Sequence, residues 1–435
     1  MIGIRTESAA PAKVPLRQAA LTLLAGGALA QLLPLLLGPL IARLFTPEAM
    51  GVFTQFATVA ATLAVAASLR YEQALPLARH DAAGDAEAHA LLALSLRVLL
   101  VAVAVSVPLA WALHVLGWLA LPAWLPLAVG VAGALQVLML WANRASRFKA
   151  LAVSRVVQYG GAAALQLAGG WALWRGVAAG RDAAWTLVAA TVLAQVAAGV
   201  WLCRPAPVGG WWAALKVPGQ RLKAVARAHK DFALVNTPHA FLGTLQDALA
   251  VALLVAWAGD AAAGFWGLAL RYLKAPATLV GQAVSQALYP RLVAAGAAEG
   301  QRLVRQMMAL LGAVALAVML LLLLAGPWLF ERVFGAPWRE AGELARALAP
   351  YIAVHLVASP LAVVTMAWRA QRWAFRLAVV GQVIFMAALA LGLWQGGLIG
   401  GAWAVSAAMV PYFGWYFWRL TRWHQVSAPT TGGRA

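Results

Sequence analysis

The sequence has 435 residues, of which 63% are hydrophobic and 11% charged, and its mean hydropathy is +0.80. These values exclude an ordinary soluble domain. The single cysteine, Cys203, excludes an internal disulfide framework and a thiolate metal cluster. Apolar stretches recur along the whole chain, and a stretch of about 20 residues is enough to cross roughly 30 Å of hydrocarbon as a helix. We therefore predict an all-α protein that crosses a membrane many times.

A short basic segment with Arg5, Lys13 and Arg17 precedes the first apolar stretch. A signal peptide has the same order of a basic and then an apolar region. The stretch runs from about Ala19 to Leu44, which is longer than a signal peptide uses. We predict that it is retained as the first transmembrane helix.

Breaks at proline, glycine and charge clusters predict about twelve transmembrane helices. In chain order they cover about residues 18–44, 48–70, 88–113, 119–142, 150–174, 183–203, 231–257, 262–289, 303–330, 341–368, 373–394 and 398–420. Tryptophans and spaced cations between the sixth and seventh helices are typical of a helix at the lipid headgroups. These breaks predict a six-helix N-terminal lobe (1–203), a cytoplasmic amphipathic linker (204–230) and a six-helix C-terminal lobe (231–435).

The net charge of +19 raises the hypothesis of nucleic-acid binding. With a cytoplasmic N-terminus, however, about 24 of the 33 lysines and arginines fall in cytoplasmic segments and roughly five in outer ones. This asymmetry follows the positive-inside rule. It predicts that both termini are cytoplasmic, and it explains the charge without a nucleic acid.

A short repeat relates the two lobes. The second helix opens with TPEAMGVF (46–53) and the eighth with GDAAAGFW (259–266). Internal repeats of this kind are common in transporters, where the substrate path lies between the repeats.

Charged residues deep inside a span are costly and are therefore the first functional candidates. Arg271 lies about seven residues into the eighth helix, roughly 10 Å from its outer end, and we predict that it lines a substrate cavity. Asp247 and Lys274 lie at similar distances, about 13 and 14 residues, on either side of a turn near Asp260. We predict that they form an ion pair, and both a structural role and a proton- or cation-sensitive role remain open.

Other charged residues are less deeply placed. Arg97, in the third helix, is a second candidate for the cavity, and a stabilising contact with Glu72 is the alternative. Arg43, at the outer end of the first helix, either binds substrate or anchors the helix at the interface. Arg70 and Glu72 lie where the second helix leaves the membrane, and we predict a cytoplasmic gate or a local ion pair there.

Catalytic and metal-binding patterns are absent from the sequence. No Ser/His/Asp grouping, metal-ligand spacing or phosphate-binding glycine loop stands out, and the predicted outer loops are short. We therefore expect neither an enzyme nor a protein with a cofactor.

Several blocks of the sequence, in this order, resemble the bacterial polysaccharide transporter family. These flippases move O-antigen-type lipid-linked oligosaccharides and belong to the multidrug/oligosaccharidyl-lipid/polysaccharide exporter superfamily. The blocks are GGALAQLLPLLLGPLIARLFTPEAMGVF, SLRYEQALPLA, HKDFALVNTPHAFLGTLQ and GFWGLALRYLKAPATLVGQAVSQALYPRL. The resemblance implies two six-helix bundles around a central V-shaped cavity. It also implies transfer of an undecaprenyl-pyrophosphate-linked glycan across the bacterial inner membrane by alternating access, for the synthesis of O-antigen, capsule or exopolysaccharide.

The resemblance also assigns roles to residues. Arg271 matches an eighth-helix arginine with which related murein lipid flippases bind pyrophosphate, and we expect Lys274, Arg97 and Arg43 to assist it. Asp247 and Lys274 depart from the uncharged residues that are usual in the family. The implied partners are the lipid-linked oligosaccharide, membrane lipids, a coupling proton or sodium ion, and a polysaccharide polymerase.

Three other functions remain open, the last of which is a structural membrane scaffold without transport. A multidrug or cation antiporter of the same superfamily would favour an acidic cavity, whereas the predicted interior has more cations than carboxylates. A membrane glycan polymerase or ligase would need a large outer loop with acid and base groups, and the sequence offers none.

Overall fold

A computed structural model describes residues 16–79, 81–174, 183–204, 211 and 216–422. In these ranges the chain is helical and contains no strand. The linker segments 205–210 and 212–215 lie outside the described residues, as do five cations used in the topology prediction, namely Arg5, Lys13, Arg175, Arg181 and Arg434.

The first six helices form the N-terminal lobe. They are α1 (Leu16–Leu44), α2 (Pro47–Ala66), α3 (Ala82–Val115), α4 (Trp124–Arg144), α5 (Phe148–Trp174) and α6 (Ala184–Leu202). A 3-10 helix, Tyr71–Leu77, follows α2 and packs against α3 and α4.

The described part of the linker includes a short helix, α7 (Gly219–Ala228), which packs against α3. Leu222 on α7 is buried, whereas its three cations, Arg221, Lys223 and Arg227, are exposed. Beside α7, His229 Nε2 lies 2.8 Å from Glu87 Oε1 on α3. The apolar side of the linker helix is thus used in a contact with the N-terminal lobe.

Two glycine turns divide long helical segments of the C-terminal lobe. Gly259 (φ 85, ψ 174) divides Thr237–Ala294 into α8 (237–258) and α9 (260–294). Gly396 and Gly397 divide Gln371–Thr421 into α12 (371–395) and α13 (398–421). Gly259 and Gly397 have positive φ angles, which glycine adopts without the steric cost that a Cβ imposes. Between these segments lie α10 (Ala297–Phe334), a 3-10 turn (Ala336–Trp338) and α11 (Arg339–Ala367), and a π-helical turn (Phe232–Asn236) precedes α8.

The described residues contain twelve helices of membrane-spanning length. Nine helical segments are long and apolar enough to cross a membrane, and two of them are the glycine-divided pairs. The 27-residue helix α5 completes the twelve. The prediction of about twelve helices in two six-helix bundles around a central cavity is confirmed, whereas the exact lobe boundaries at residues 203 and 230 stay predictions.

The two lobes meet most extensively where α2 packs against the α8–α9 hairpin. A Cβ on Gly51 would overlap the carbonyl oxygen of Asp260, and a Cβ on Gly264 would overlap that of Pro47. Small residues allow transmembrane backbones to approach this closely. Because Gly51 and Gly264 belong to the repeated motifs, the two repeats contact each other at one end of the lobe interface, which we call the closed end.

Side chains from both lobes add hydrogen bonds at the closed end. The Trp338 indole, which is fully buried, donates to the Ala42 carbonyl of α1 at 2.7 Å. The Arg43 guanidinium donates to the carbonyls of Arg332 (2.9 Å) and Val333 (3.2 Å) near the C-terminus of α10. The end of α1 is thereby held against the α10–α11 turn.

A further hydrogen bond between the lobes depends on a proline in α1. Pro39 has no N–H, so the Leu35 carbonyl lacks its normal donor within the helix. The Tyr272 hydroxyl of α9 donates to this carbonyl instead, at 2.8 Å. Gly38 provides the space, since a Cβ there would overlap the Tyr272 hydroxyl oxygen.

Candidate binding cavity

A cavity of about 970 Å³ lies between the two lobes. Helices α1, α2, α4 and α5 line it from the N-terminal lobe, and α8 and α9 line it from the C-terminal lobe. On α9 the lining runs from Trp266 to Thr278, about 18 Å along the helix axis. A ligand in this cavity would contact both lobes at once.

Three cations and one carboxylate line the cavity. Arg155 projects from α5, Arg271 and Lys274 from α9, and Asp247 from α8. Lys274 Nζ lies 4.0 Å from Asp247 Oδ1, which is the outer limit of an ion pair. Among the residues that the structure describes, none forms a hydrogen bond or ion pair with Arg155 or Arg271.

These charges suit an anionic group. The Lys274–Asp247 pair is neutral as a whole, so Arg155 and Arg271 give the cavity a net positive charge from opposite lobes. Guanidinium groups bind phosphate oxygens through two parallel hydrogen bonds, and such charge-assisted bonds are stronger than neutral ones. The cavity can therefore hold a phosphate or diphosphate between the two lobes.

Uncharged polar side chains complete the lining. They offer amide and hydroxyl groups, which can hydrogen-bond to the hydroxyls of a sugar. They are Gln31, Thr54, Thr58, Gln136, Gln158, Tyr159 and Thr278.

The structure does not bring two of the predicted substrate-binding residues to this cavity. Arg43 donates its hydrogen bonds at the closed end, as described above. Arg97 Nη2 donates to the Val217 carbonyl in the linker at 2.8 Å. In this conformation Arg43 connects the lobes and Arg97 connects α3 to the linker.

Arg70 and Glu72 lie at the 3-10 helix, outside the cavity lining. Glu72 is completely buried, and the Ser68 hydroxyl donates to its Oε2 at 2.5 Å. Its Oε1 has no hydrogen-bond partner among the described residues. Burial raises the pKa of Glu72, although the Ser68 hydrogen bond and the charge of Arg70 act in the opposite direction. Glu72 is thus a buried carboxyl group beside the C-terminal end of α2, which the predicted topology places on the cytoplasmic side.

Sequence reasoning missed Arg155 as a cavity residue, because the charge distribution places Arg155 among the roughly 24 cations of the cytoplasmic segments. Arg155 lies seven residues after Phe148, where α5 begins, which is about 10 Å along the helix. The depth criterion that singled out Arg271 would therefore have selected Arg155 as well.

In the described part of the chain, no group of three or more His, Cys, Asp or Glu residues could hold a metal ion.

The model of a family described as "Polysaccharide biosynthesis protein" matches residues 40–343. No protein with a curated description matches the sequence significantly.

Among solved structures, the chain is similar to the lipid II flippase MurJ in an inward closed conformation. That likeness has a TM-score of 0.69 and 10% identity, and it covers 92% of this chain and 90% of the other.

Two MATE transporters also share the fold. An inward-facing multidrug resistance MATE family transporter of the MOP superfamily matches with a TM-score of 0.62, 14% identity and coverage of 91% and 96%. A mutant of the Vibrio cholerae MATE transporter VcmN matches with a TM-score of 0.52, 16% identity and coverage of 93% and 95%. At such low identities these likenesses establish the fold.

Proposed function

Since the chain belongs to the polysaccharide biosynthesis protein family, we propose that it is a flippase for a lipid-linked oligosaccharide. The substrate is an undecaprenyl-pyrophosphate-linked glycan, which moves from the cytoplasmic to the outer leaflet of the bacterial inner membrane. The products serve the synthesis of O-antigen, capsule or exopolysaccharide. The chain is a transporter and not an enzyme in this proposal.

One observation carries the proposal, namely two guanidinium groups from opposite lobes in one interlobe cavity, neither of which pairs with a residue that the structure describes. Arg155 and Arg271 bind the diphosphate, and Lys274 assists them. The uncharged polar lining hydrogen-bonds the first sugars, and the volume of about 970 Å³ is at the upper end of ordinary ligand pockets. The polyprenyl chain stays in the lipid.

In this proposal, the closed end is the side of the cavity that must open during alternating access. The distribution of cations assigns both termini to the cytoplasm, so that α1 ends and α2 begins at the outer surface. The contacts around Gly51, Gly264 and Trp338 then close the cavity to the outside, and the cavity faces the cytoplasm. Transport breaks these contacts and forms others at the cytoplasmic end, with energy from the membrane potential or from a coupling proton or sodium ion.

A deletion strain of the host bacterium tests the proposal. Without the protein, we expect surface glycan to fall and the lipid-linked intermediate to accumulate, and the intact gene should reverse both changes. Arg271→Ala should not reverse them, whereas Arg291→Ala should, because Arg291 lies near the C-terminal end of α9 and outside the cavity lining. If the deletion changes neither the surface glycan nor the intermediate, the proposed function is wrong.

A second function is favoured by the likeness to a multidrug MATE transporter, with a TM-score of 0.62. Cationic drugs need an acidic cavity, whereas this lining has three cations and one carboxylate. Efflux of a cationic dye by the intact protein, unaffected by Arg271→Ala and by the amount of lipid-linked glycan, would favour the antiporter.

A further inference from the structure

A second concave site lies in the C-terminal lobe, between its last two helices. It is a groove of about 540 Å³, and every residue that lines it belongs to α12 or α13. Its volume is within the range of small-molecule sites, about 300–1,000 Å³. It shares no lining residue with the interlobe cavity. We call it the α12–α13 groove.

The groove forms because α12 and α13 touch at one end and are separated by a side chain nearer the other. Next to their connecting turn, a Cβ on Gly392 would overlap the Gly400 carbonyl oxygen, so the two backbones are in contact. Farther from the turn, the Tyr412 side chain spans the space between the helices, and its hydroxyl donates to the Leu377 carbonyl at 2.8 Å. The hydroxyl is thus used within the protein, and the Tyr412 ring forms part of the groove wall.

The groove opens to the surface of the lobe and matches one leaflet of a membrane in length. Its lining residues Val380 and Trp415 are 51% and 47% exposed, although both belong to membrane helices. On α12 the lining runs from Trp373 to Ile384, which is about 16 Å along the helix axis. One leaflet contributes about half of the roughly 30 Å hydrocarbon core. A lipid acyl chain can therefore lie along the whole groove.

One cation interrupts the aromatic and aliphatic lining. Arg376 is exposed and forms no hydrogen bond or ion pair with a residue that the structure describes. It lies five residues after Gln371, where α12 begins, and close in sequence to Trp373. The rings of Trp373 and Trp415 are 6.1 Å apart at this end of the groove. Because tryptophans gather at the headgroup level of a membrane, Arg376 lies where the phosphate of a lipid lies.

The charge at this end of the groove has one sign. Arg372 and Arg376 belong to α12, Arg419 lies in the last turn of α13, and Arg422 follows directly. Residues 371–422 include no Asp or Glu. Guanidinium groups pair with phosphate oxygens through two parallel hydrogen bonds, and clustered cations at a membrane surface attract anionic lipids. This composition favours an anionic headgroup over a zwitterionic one, whose ammonium group the cations would repel.

We propose that the α12–α13 groove binds one anionic phospholipid from the leaflet beside Arg376, which the predicted topology makes the inner leaflet. The lipid phosphate pairs with Arg376, and one acyl chain lies along Leu377, Val380 and Ile384 toward the middle of the membrane. The polyprenyl chain of a transported substrate fits less well, because its diphosphate would occupy the interlobe cavity, which has no residue in common with the groove. The site goes beyond the proposed function and holds for any transported glycan.

Native mass spectrometry of the purified full-length protein tests the proposal. Dioleoyl phosphatidylglycerol is the anionic probe and dioleoyl phosphatidylcholine the zwitterionic one, and the affinity for the first bound lipid is measured for each. We expect tighter binding of phosphatidylglycerol. Arg376→Ala should weaken it about tenfold, since one charge-assisted hydrogen bond at an exposed position is lost. Arg291→Ala is the control, because Arg291 is also exposed but lies near the C-terminal end of α9 and outside the groove.

A second pair of variants tests the groove itself without removing a charge. Ala408 lines the groove, so Ala408→Leu should fill part of it and weaken phosphatidylglycerol binding. Ala407→Leu should not, because Ala407 is exposed and lies outside the lining. This pair keeps the test valid if Arg376→Ala is unstable.

Three results would overturn the proposal. The first is equal affinity for the two lipids, or undiminished phosphatidylglycerol binding in Arg376→Ala or Ala408→Leu. The second is tighter binding of undecaprenyl phosphate than of phosphatidylglycerol with the same dependence on both positions, which would assign the groove to the lipid of the substrate. The third is a dimer that Ala408→Leu dissociates, which would make the groove an interface between two copies of the chain.

Discussion

The hydrogen bond from Tyr272 to Leu35 offers a sharp test of how the closed end is held. Tyr272→Phe removes one hydroxyl and keeps the ring, which packs edge to face on Phe334 with centroids 4.8 Å apart. Because Pro39 supplies no N–H, the Leu35 carbonyl then has no donor in the conformation seen here.

This hydrogen bond is part-buried, so the cost of losing it is at most the roughly 1–3 kcal/mol of an unsatisfied buried acceptor. If the bond forms only in the conformation seen here, Tyr272→Phe shifts the equilibrium away from that conformation by at most about 150-fold. We therefore expect a larger population in which the two lobes have separated at the closed end. The ring at position 272 should still pack on Phe334.

Distance measurements between spin labels can detect this shift. Glu48 and Ala336 are exposed positions on the two lobes at the closed end, and labels there report the separation of the lobes in a Cys203→Ser background. Tyr272→Phe should add a long-distance population. Tyr289→Phe on the same helix is the control, because Tyr289 is 42% exposed and forms no hydrogen bond with a described residue. An unchanged distance distribution in Tyr272→Phe would refute the reasoning.

Three further predictions concern other parts of the molecule. Gly264→Val should prevent the close approach of α2 and α9 and lower the melting temperature, whereas Gly312→Val, at a glycine with open space, should not. Because burial raises the pKa of Glu72, the folded protein holds this proton more tightly than the unfolded chain does. The folded state therefore loses stability as pH rises through the raised pKa. Thermal unfolding should accordingly show that Glu72→Gln unfolds at a higher temperature at neutral pH and with less pH dependence. The doubly substituted Asp247→Lys, Lys274→Asp protein should recover about 1 kcal/mol of the stability that the single substitutions lose, since the pair is partly exposed. Equal effects of Gly264→Val and Gly312→Val would contradict the first prediction. A pH profile that Glu72→Gln leaves unchanged would contradict the second. Additive losses of stability in the swapped pair would contradict the third.

The number and approximate limits of the membrane helices could be predicted from the sequence because each span is a long apolar run bounded by breaks. Gly259 and Gly397 illustrate this, since each falls between two predicted helices and forms the turn in the structure. The similar distances of Asp247 and Lys274 from the turn near Asp260 anticipated their proximity, because the rise per residue of an α-helix is constant.

What the sequence could not provide is the orientation of each helix around its own axis. Arg97 and Arg155 are both several residues inside a predicted helix, yet Arg155 faces the cavity and Arg97 reaches the linker. Only the packing of neighbouring helices decides between these directions. Two Arg-Tyr pairs that are alike in sequence, Arg70-Tyr71 and Arg271-Tyr272, illustrate the same limit. Arg70 lies beside the 3-10 helix with a positive φ, whereas Arg271 and Tyr272 lie in a regular helix that lines the cavity and contacts α1.

The central claim is that the cations of the cavity carry a lipid-linked diphosphate across the membrane. Purified protein in liposomes can be supplied with a fluorescent polyprenyl-diphosphate oligosaccharide, and the fraction that reaches the opposite leaflet is measured with a membrane-impermeant quencher. We expect transfer by the wild-type protein and by Arg291→Ala. Arg155→Ala and Arg271→Ala should each slow it about ten- to a hundredfold, since each removes a charge-assisted hydrogen bond of about 1.5–3 kcal/mol. Equal transfer rates in all four proteins, or no transfer by the wild-type protein, would contradict the claim.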